Sequence, residues 1–294
     1  HVMLPMPSFS VRVWNGSPHE FLLRAAEVTR TGVGLPAYYN DEVIIPSLMS
    51  RGVTLEDARN YNIIGCVEPQ APAKTDGWHD AAFFNMLRPL ELVFSNGVDK
   101  GVQVGLRTGE LHEFTTFEKF YDAYKAQMNY FIKLLVNADN AIDMAHARRC
   151  PLPYQSCMIE DCIGRGKSLQ EGGAVYNFTG PQGFGIANMT DALLAVKTLV
   201  YDKKILKLCE LKAALDNNFG LDLDNATAER LTKTVAHKLV ADGKTLTAED
   251  IKSIYLAVSK NPASDEDKKK YSELLEQINE LPKYGNDLVD VDAF

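Results

Sequence analysis

The chain has 294 residues, of which 46% are hydrophobic, so it is long enough to bury a sizeable core in one or two domains. Its formal net charge of -8 argues against nucleic acid and against an anionic membrane surface as partners. No apolar run approaches the ~18 residues that a membrane span requires, so we expect no membrane partner either.

The cysteines predict the redox environment of the chain. There are five of them, an odd number, at irregular positions, which favours a reducing cytoplasm over a disulfide framework. Cys150, Cys157 and Cys162 cluster, but their gaps lack the short spacing of zinc pairs and no histidine pair accompanies them. We therefore expect packing cysteines and no metal site.

The first sixty residues predict short strands alternating with helices. Ser8–Trp14 alternates apolar and polar residues, which indicates a strand. Ser17 then caps a helix that runs to Arg30, with proline in its first turn. Val43–Arg51 fits a second helix, and Thr54 caps a third one that leads into the next segment.

That next segment presents a thiol and a carboxylate two residues apart. Its sequence is Asn62-Ile63-Ile64-Gly65-Cys66-Val67-Glu68-Pro69-Gln70. Its apolar start reads as the end of a buried strand, and proline ends it. Alternate residues of an extended loop point the same way, so we expect Cys66 and Glu68 to face one space. A sulfur beside an acid/base group suits hydrogen abstraction or nucleophilic attack. A lone cysteine after an apolar run is also a common packing residue, and the residues alone leave both interpretations open.

The following segments predict mostly helices. Asp80–Phe94 is strongly apolar and predicts a buried helix that ends at Asn96-Gly97. Val98–Glu113 is polar and contains several glycines, which indicates a surface hairpin or loop. Thr116 then caps a long helix that reaches about His146.

From Gly220 onward the composition shifts toward lysine, aspartate and glutamate. The periodicity predicts three helices here, at about Ala226–Asp242, Thr247–Ser259 and Asp265–Leu281. Lys268-Lys269-Lys270 is flanked by acidic residues, so we interpret it as a solvated face and not as a nucleic-acid patch.

Two separated runs resemble the glycyl radical enzymes, the pyruvate formate-lyase-like family of anaerobic lyases. The segment from Asn62 to Gln70, followed by Lys74-Thr75-Asp76-Gly77-Trp78-His79-Asp80, resembles the cysteine loop of that family. The later run Tyr176-Asn177-Phe178-Thr179-Gly180-Pro181-Gln182-Gly183 resembles a run that follows this loop. The two matches occur in the family's order.

The resemblance implies the fold and the extent of the chain. Its members are helix-rich α/β proteins that build a ten-stranded α/β barrel, in which a cysteine loop meets a glycyl radical loop. The radical loop's Arg-Val-Ser/Ala-Gly-Tyr run is absent from this sequence. We therefore expect a central portion of a larger enzyme that is inactive alone. We divide it into barrel at 1–219, a helical insertion at 220–281 and a return to the barrel at 282–294.

The resemblance also implies roles for individual residues. Cys66 matches the cysteine that becomes a thiyl radical, and Glu68 matches the base of the eliminating members. Asp80 matches a carboxylate that the diol dehydratases use near the substrate's hydroxyl, and His79 lies beside it in sequence, so both are candidates for substrate binding. A helix cap formed by His79-Asp80 is the alternative for that pair.

We expect dehydration of a small diol, propane-1,2-diol or glycerol. The cysteine loop is shared by 4-hydroxyphenylacetate decarboxylase, isethionate sulfite-lyase and choline trimethylamine-lyase, which stay as alternatives, and a non-catalytic helical scaffold is the alternative of another class. The implied cofactor is a glycyl radical on a glycine outside this chain, installed by an S-adenosylmethionine iron-sulfur activating enzyme. The remaining expected partners are the rest of the parent polypeptide and a second copy in a homodimer. We expect a cytoplasmic location, with a bacterial microcompartment left open.

Overall fold

The computed structural model of the chain describes residues 9–32, 34–65, 67–78 and 81–284. The strands in these ranges are β1 (Ser10–Val13), β2 (Ala37–Asn40), β3 (Asn62–Ile64), β4 (Glu68–Gln70), β5 (Thr75–Trp78), β6 (Phe83–Asn85), β7 (Val98–Asp99), β8 (Val102–Gln103), β9 (Tyr176–Thr179) and β10 (Gln182–Phe184). The α-helices are α1 (His19–Thr29), α2 (Asp41–Ser50), α3 (Leu55–Arg59), α4 (Arg88–Phe94), α5 (Phe117–Arg149), α6 (Pro153–Ser156), α7 (Cys162–Arg165), α8 (Ile186–Val196), α9 (Leu208–Asp216), α10 (Asn225–Ala241), α11 (Ala248–Ser259) and α12 (Asp265–Asn279). Of the helices described, none combines the length and the apolar character that crossing a bilayer would need.

The strands of the described ranges pair two by two. β1 with β2 and β5 with β9 are parallel pairs, whereas β3 with β4 and β7 with β8 are antiparallel hairpins. β6 pairs with β10. A parallel pair needs a crossover connection, and α1 supplies it between β1 and β2. The predicted helix-rich α/β character is confirmed.

The chain divides into two compact units. The first unit comprises His1–Phe84 and Ile132–Phe184, and the second comprises Asn85–Phe131 and Gly185–Phe294. The first unit has one core of Tyr39, Leu48, Val53, Ala58, Tyr61 and Ala71, and a smaller one of Cys162, Leu169 and Ala174. The core of the second unit includes Leu90, Val93, Phe114, Phe120, Leu193, Leu199 and Leu211. Strands β1 to β5 lie wholly in the first unit, and β6 ends one residue beyond its boundary at Phe84.

A charged cluster in the first unit fixes the chain just before β3. Arg12 donates two hydrogen bonds of 2.8 Å to the carboxylate of Asp41, and the Tyr61 hydroxyl donates a third, also of 2.8 Å. The guanidinium lies 4.0 Å from the centre of the Tyr61 ring. Burial and the Asp41 carboxylate raise the pKa of Tyr61 above its usual value. Because Tyr61 directly precedes β3, this cluster anchors the start of the cysteine-loop hairpin.

Three local predictions were wrong. Ser17 does not cap α1: Pro18 is the N-cap residue, and the Ser17 hydroxyl accepts a hydrogen bond from the backbone N–H of Trp14 instead. Residues 81–87 are not helical: Phe83–Asn85 is a strand paired with Gln182–Phe184, and α4 begins only at Arg88, with Pro89 in its first turn. Here a pairing with a distant strand overrides local apolar periodicity. The end of β3 is not buried, since Ile64 is 41% exposed. In a two-stranded hairpin, alternate side chains point away from the packed face.

Several helix boundaries are confirmed together with their caps. Thr54 accepts a hydrogen bond from the backbone of Asp57 at the start of α3. α10, α11 and α12 each lie within two residues of the bounds predicted for them. Asn96 and Gly97 adopt left-handed φ angles of 50° and 79° after α4, as the prediction of a helix stop required.

Candidate active site

The segment that carries Cys66 and Glu68 lies at the β3–β4 hairpin. The sequence predicts that these two side chains face the same space. Ile64 pairs with Glu68 at the end of the hairpin, and Gly65 has a φ of +60° that turns the chain. Glu68 therefore lies at the first position of β4. Cys66, His79 and Asp80 lie outside the described residues, so their placement stays a prediction.

The Glu68 carboxylate is buried and held on both oxygens. Its Oε2 accepts a hydrogen bond of 2.8 Å from the backbone N–H of Val67, and its Oε1 accepts one of 2.5 Å from Nε2 of Gln182. The residue is only 8% exposed. A β-carbon built on Gly65 would lie 2.8 Å from Oε2, so the carboxylate lies directly against the backbone of the loop.

Replacing Gly65 by alanine is expected to displace this carboxylate. The added methyl group would meet Oε2, and the left-handed φ would cost about 1–2 kcal/mol of unfolding free energy. Gly166→Ala is the matched control, because Gly166 has a similar φ of +63° and no atom among the described residues lies within 4 Å of its built β-carbon. Urea unfolding should show a loss of stability in both variants and a larger loss in Gly65→Ala, because only that variant adds the clash with Oε2 to the backbone strain. Equal losses of stability in the two variants would contradict the clash.

The described residues on either side of positions 79 and 80 contact the run from Tyr176 to Phe184. On one side Trp78 pairs with Thr179 in the parallel β5–β9 ladder. On the other side the backbone N–H of Gln182 donates a hydrogen bond of 2.7 Å to the carbonyl of Ala82. The two stretches that carried the sequence resemblance therefore run beside each other in the first unit.

A polar network around Asp57 fixes the start of β5 and β9. Asp57 accepts hydrogen bonds from Nζ of Lys74 at 2.7 Å, from the hydroxyl of Tyr176 at 2.6 Å and from Thr54 at 3.0 Å. Tyr176 pairs with Thr75 at the start of the ladder. The hydrogen bond from Lys74, followed by that from Tyr176, holds the pKa of Asp57 below its usual value of 3.8. The network ties α3 to both strands.

The lowered pKa of Asp57 predicts how stability depends on pH. Its stabilisation is fully present above the unfolded value of 3.8 and is lost as the pH falls through the lower folded value. Asp57→Asn should therefore lower the urea midpoint at pH 7 and flatten its pH dependence below about pH 4. Urea unfolding between pH 2.5 and pH 7 would check this, with Asp216→Asn, an exposed carboxylate of the second unit, as control. An unchanged midpoint in Asp57→Asn would contradict the role of the network.

Sequence reasoning missed the partner of Glu68. Gln182 lies 114 positions away and was noticed only as part of the glycine-rich run, without a role of its own. Its place within the second resembling run was the signal that could have singled it out. Within the described ranges, no group of three or more His, Cys, Asp or Glu side chains is arranged to hold a metal ion.

The fold and the site together define a helix-rich α/β protein with a buried carboxylate, that of Glu68, on a hairpin. The family description "Pyruvate formate lyase-like" matches residues 1–294. The chain therefore belongs to this family, which confirms the resemblance to glycyl radical enzymes on which the site residues were chosen.

Characterised relatives include two dehydratases. The chain is 39% identical over 218 residues to trans-4-hydroxy-L-proline dehydratase of Clostridioides difficile, covering 74% of this chain and 28% of the relative. It is 37% identical over 221 residues to (2S)-3-sulfopropanediol dehydratase of Klebsiella oxytoca, covering 74% of this chain and 27% of the relative. The chain thus spans little more than a quarter of the length of these relatives.

Solved structures match a larger share of this chain. A structure concerning 1,2-propanediol dehydration in Roseburia inulinivorans has a TM-score of 0.82 and 57% identity, covering 100% of this chain and 35% of that one. The glycerol-bound form of the B12-independent glycerol dehydratase from Clostridium butyricum has a TM-score of 0.76 and 49% identity, covering 99% of this chain and 31% of that one.

Proposed function

We propose that this chain is the cysteine-loop portion of a glycyl radical lyase that dehydrates a small diol, with propane-1,2-diol or glycerol as the substrate. The observation that carries the proposal is the Glu68 carboxylate, which is 8% exposed and held by Val67 and Gln182 against the loop that contains Cys66. A packing-only loop gives no reason to bury a carboxylate in this way, because hydrogen bonds such as those from Val67 and Gln182 only partly offset the cost of removing a charge from water.

The choice of a diol rests on similarity. Identity reaches 57% and 49% with the proteins of the propanediol and glycerol structures. It is 30% with the isethionate sulfite-lyase of Desulfovibrio desulfuricans. The higher sequence identity to the propanediol and glycerol proteins favours dehydration over loss of sulfite. It also supports a diol as the substrate over the substrates of the other lyases.

In the proposed reaction Cys66, as a thiyl radical, takes a hydrogen atom from C1 of the diol. Glu68 accepts the proton of the C1 hydroxyl, which promotes loss of the C2 hydroxyl. That hydroxyl takes up one proton and leaves as water, so no net proton is consumed. The product radical at C2 takes the hydrogen atom back from the Cys66 thiol, which yields the aldehyde and restores the thiyl. His79 and Asp80 are the proposed contacts to the substrate hydroxyls.

Further parts of the proposal concern the whole protein. The glycyl radical, on a glycine outside this chain, supplies the hydrogen-atom acceptor that primes Cys66, and an S-adenosylmethionine-dependent activating enzyme is the partner that installs it. The strand pairs described above are proposed to be parts of a ten-stranded barrel that keeps water from the radical. The division at 219/220 and 281/282, a homodimer and a cytoplasmic location belong to the same proposal.

The test is a substrate screen of the full-length protein, activated without oxygen. Propane-1,2-diol, glycerol, choline, isethionate and 4-hydroxyphenylacetate would each be supplied at saturating concentration, and aldehyde, trimethylamine, sulfite and carbon dioxide would be measured. We expect an aldehyde from one or both diols, in proportion to the radical content of the protein. If another of these compounds is turned over and neither diol is accepted, the diol assignment is overturned, while the assignment to the glycyl radical lyases remains.

A further inference from the structure

We propose that Gln182 is a positioning residue that fixes the Glu68 carboxylate in the orientation needed for proton transfer. This inference rests on the proposed function, because it assigns a partner to the base of that reaction. No role for Gln182 follows from the cysteine loop itself. The role follows from the hydrogen bond that joins the two side chains across the first unit.

The Glu68 carboxylate accepts hydrogen bonds from two different kinds of donor, an adjacent backbone N–H group and a distant side chain. Its Oε2 is held by the backbone of Val67, its own neighbour in the chain. This contact constrains Oε2 and the adjacent loop backbone. The contact from Gln182 to Oε1, at 2.5 Å, comes from a separate strand and constrains the other oxygen. Gln182 therefore contributes directly to fixing the orientation of the base.

Gln182 is itself placed by its backbone. It follows Gly180-Pro181 and begins β10, which pairs with β6. Its N–H donates to the carbonyl of Ala82 at 2.7 Å. Since proline and strand pairing both restrict the backbone, the amide is presented from a defined position. A side chain held in this way can orient another at little entropic cost during turnover.

The chemistry of an amide suits this task. A glutamine N–H₂ group donates hydrogen bonds but neither gains nor loses a proton at ordinary pH. It can hold a carboxylate without competing for the substrate's proton. Each carboxylate oxygen also has about two lone-pair sites, so the hydrogen bond from Gln182 occupies only one of the sites on Oε1. A lysine or arginine at the same place would form an ion pair and oppose protonation of the base.

A purely structural role makes a different prediction. If Gln182 only joins β4 to β10, its loss would lower stability and radical content while each radical-bearing molecule turned over normally. If it orients the base, each radical-bearing molecule would turn over more slowly. Turnover per radical therefore separates the two roles.

The experiment uses the full-length protein, activated without oxygen, with propane-1,2-diol and glycerol as the probes. Gln182→Ala is compared with Gln170→Ala, whose residue is also half-buried in the first unit and bonds the backbone of Leu152. We expect Gln182→Ala to lower kcat per radical about 10- to 100-fold, because a base displaced by about an ångström loses that much. KM should change less than about threefold if the interaction matters in the transition state only. Gln170→Ala should keep kcat per radical. A kcat per radical within twofold of the unsubstituted protein in Gln182→Ala would overturn the proposal.

Gln182→Glu adds a pH-dependent readout. The new carboxyl would lie beside Glu68, where two carboxylates resist joint ionisation. At low pH one shared proton restores the hydrogen bond, and at high pH both groups ionise and repel. Activity of Gln182→Glu should therefore fall more steeply with rising pH than that of the unsubstituted protein, and parallel profiles would contradict the positioning role.

The outcome also separates this inference from the proposed function. If Glu68→Gln abolishes turnover while Gln182→Ala leaves it unchanged, Gln182 has no positioning role and the proposed function stands. If Glu68→Gln itself retains full turnover, the assignment of the base fails and the role of Gln182 fails with it.

Discussion

Replacing Glu68 by glutamine in the full-length protein is expected to lower kcat about 100- to 10,000-fold, which is the usual contribution of a general base. The amide has the shape of the carboxylate but cannot accept the substrate's proton. Its oxygen can accept from Val67, while Gln182 can flip its own amide to accept from the new N–H₂ group. Folding and radical content should therefore be nearly unchanged, and the loss should fall on turnover.

The measurement is aldehyde formation per radical, with the radical counted by paramagnetic resonance. Glu56→Gln is the control, because Glu56 is an exposed carboxylate of the same unit, in the first turn of α3. Full turnover by Glu68→Gln would show that the buried carboxylate is not the base. A loss equal to that of Glu56→Gln would lead to the same conclusion.

Replacing Cys66 by alanine is expected to abolish turnover, since no other group of the loop can pass a hydrogen atom to and from carbon. The glycyl radical should still be installed, because the proposal places it on a glycine outside this chain. Cys157→Ala is the control, as Cys157 is exposed in the same unit. The comparison uses the same anaerobic assay with both diols.

Retention of turnover by Cys66→Ala would leave the non-catalytic scaffold as the better interpretation. If Cys66→Ala lost its folded state together with turnover, unfolding and not the missing thiol would explain the lost activity. Far-ultraviolet circular dichroism of both variants distinguishes that case. We expect the two spectra to superimpose on that of the unsubstituted protein.

Local signals were enough to predict the helices with clear caps. Thr54 begins α3 and Thr247 begins α11 through hydrogen bonds to residues three positions later, which the sequence displays directly. The stop at Asn96-Gly97 was equally local. What the sequence could not display was the partner of β6, because Phe83–Asn85 becomes a strand through a pairing with residues about a hundred positions away.

The same distinction holds for the candidate site. Glu68 was predicted from its place beside Cys66 and from the resemblance of the loop. Its hydrogen bond with Gln182 depends on how the β3–β4 hairpin meets the separate pair of β6 and β10. The Asp57 network likewise joins Tyr176 to a residue 119 positions away. Contacts of this kind are fixed by tertiary packing and leave no pattern in a single sequence.

The most direct test of the account follows the hydrogen that the sulfur is proposed to carry. The full-length protein, activated without oxygen, would be given propane-1,2-diol with two deuterium atoms on C1, and the aldehyde would be analysed by mass spectrometry and nuclear magnetic resonance. Transfer through Cys66 predicts one deuterium retained at C1 and the other at C2 of the product. A product whose C2 hydrogen comes wholly from solvent would contradict the account.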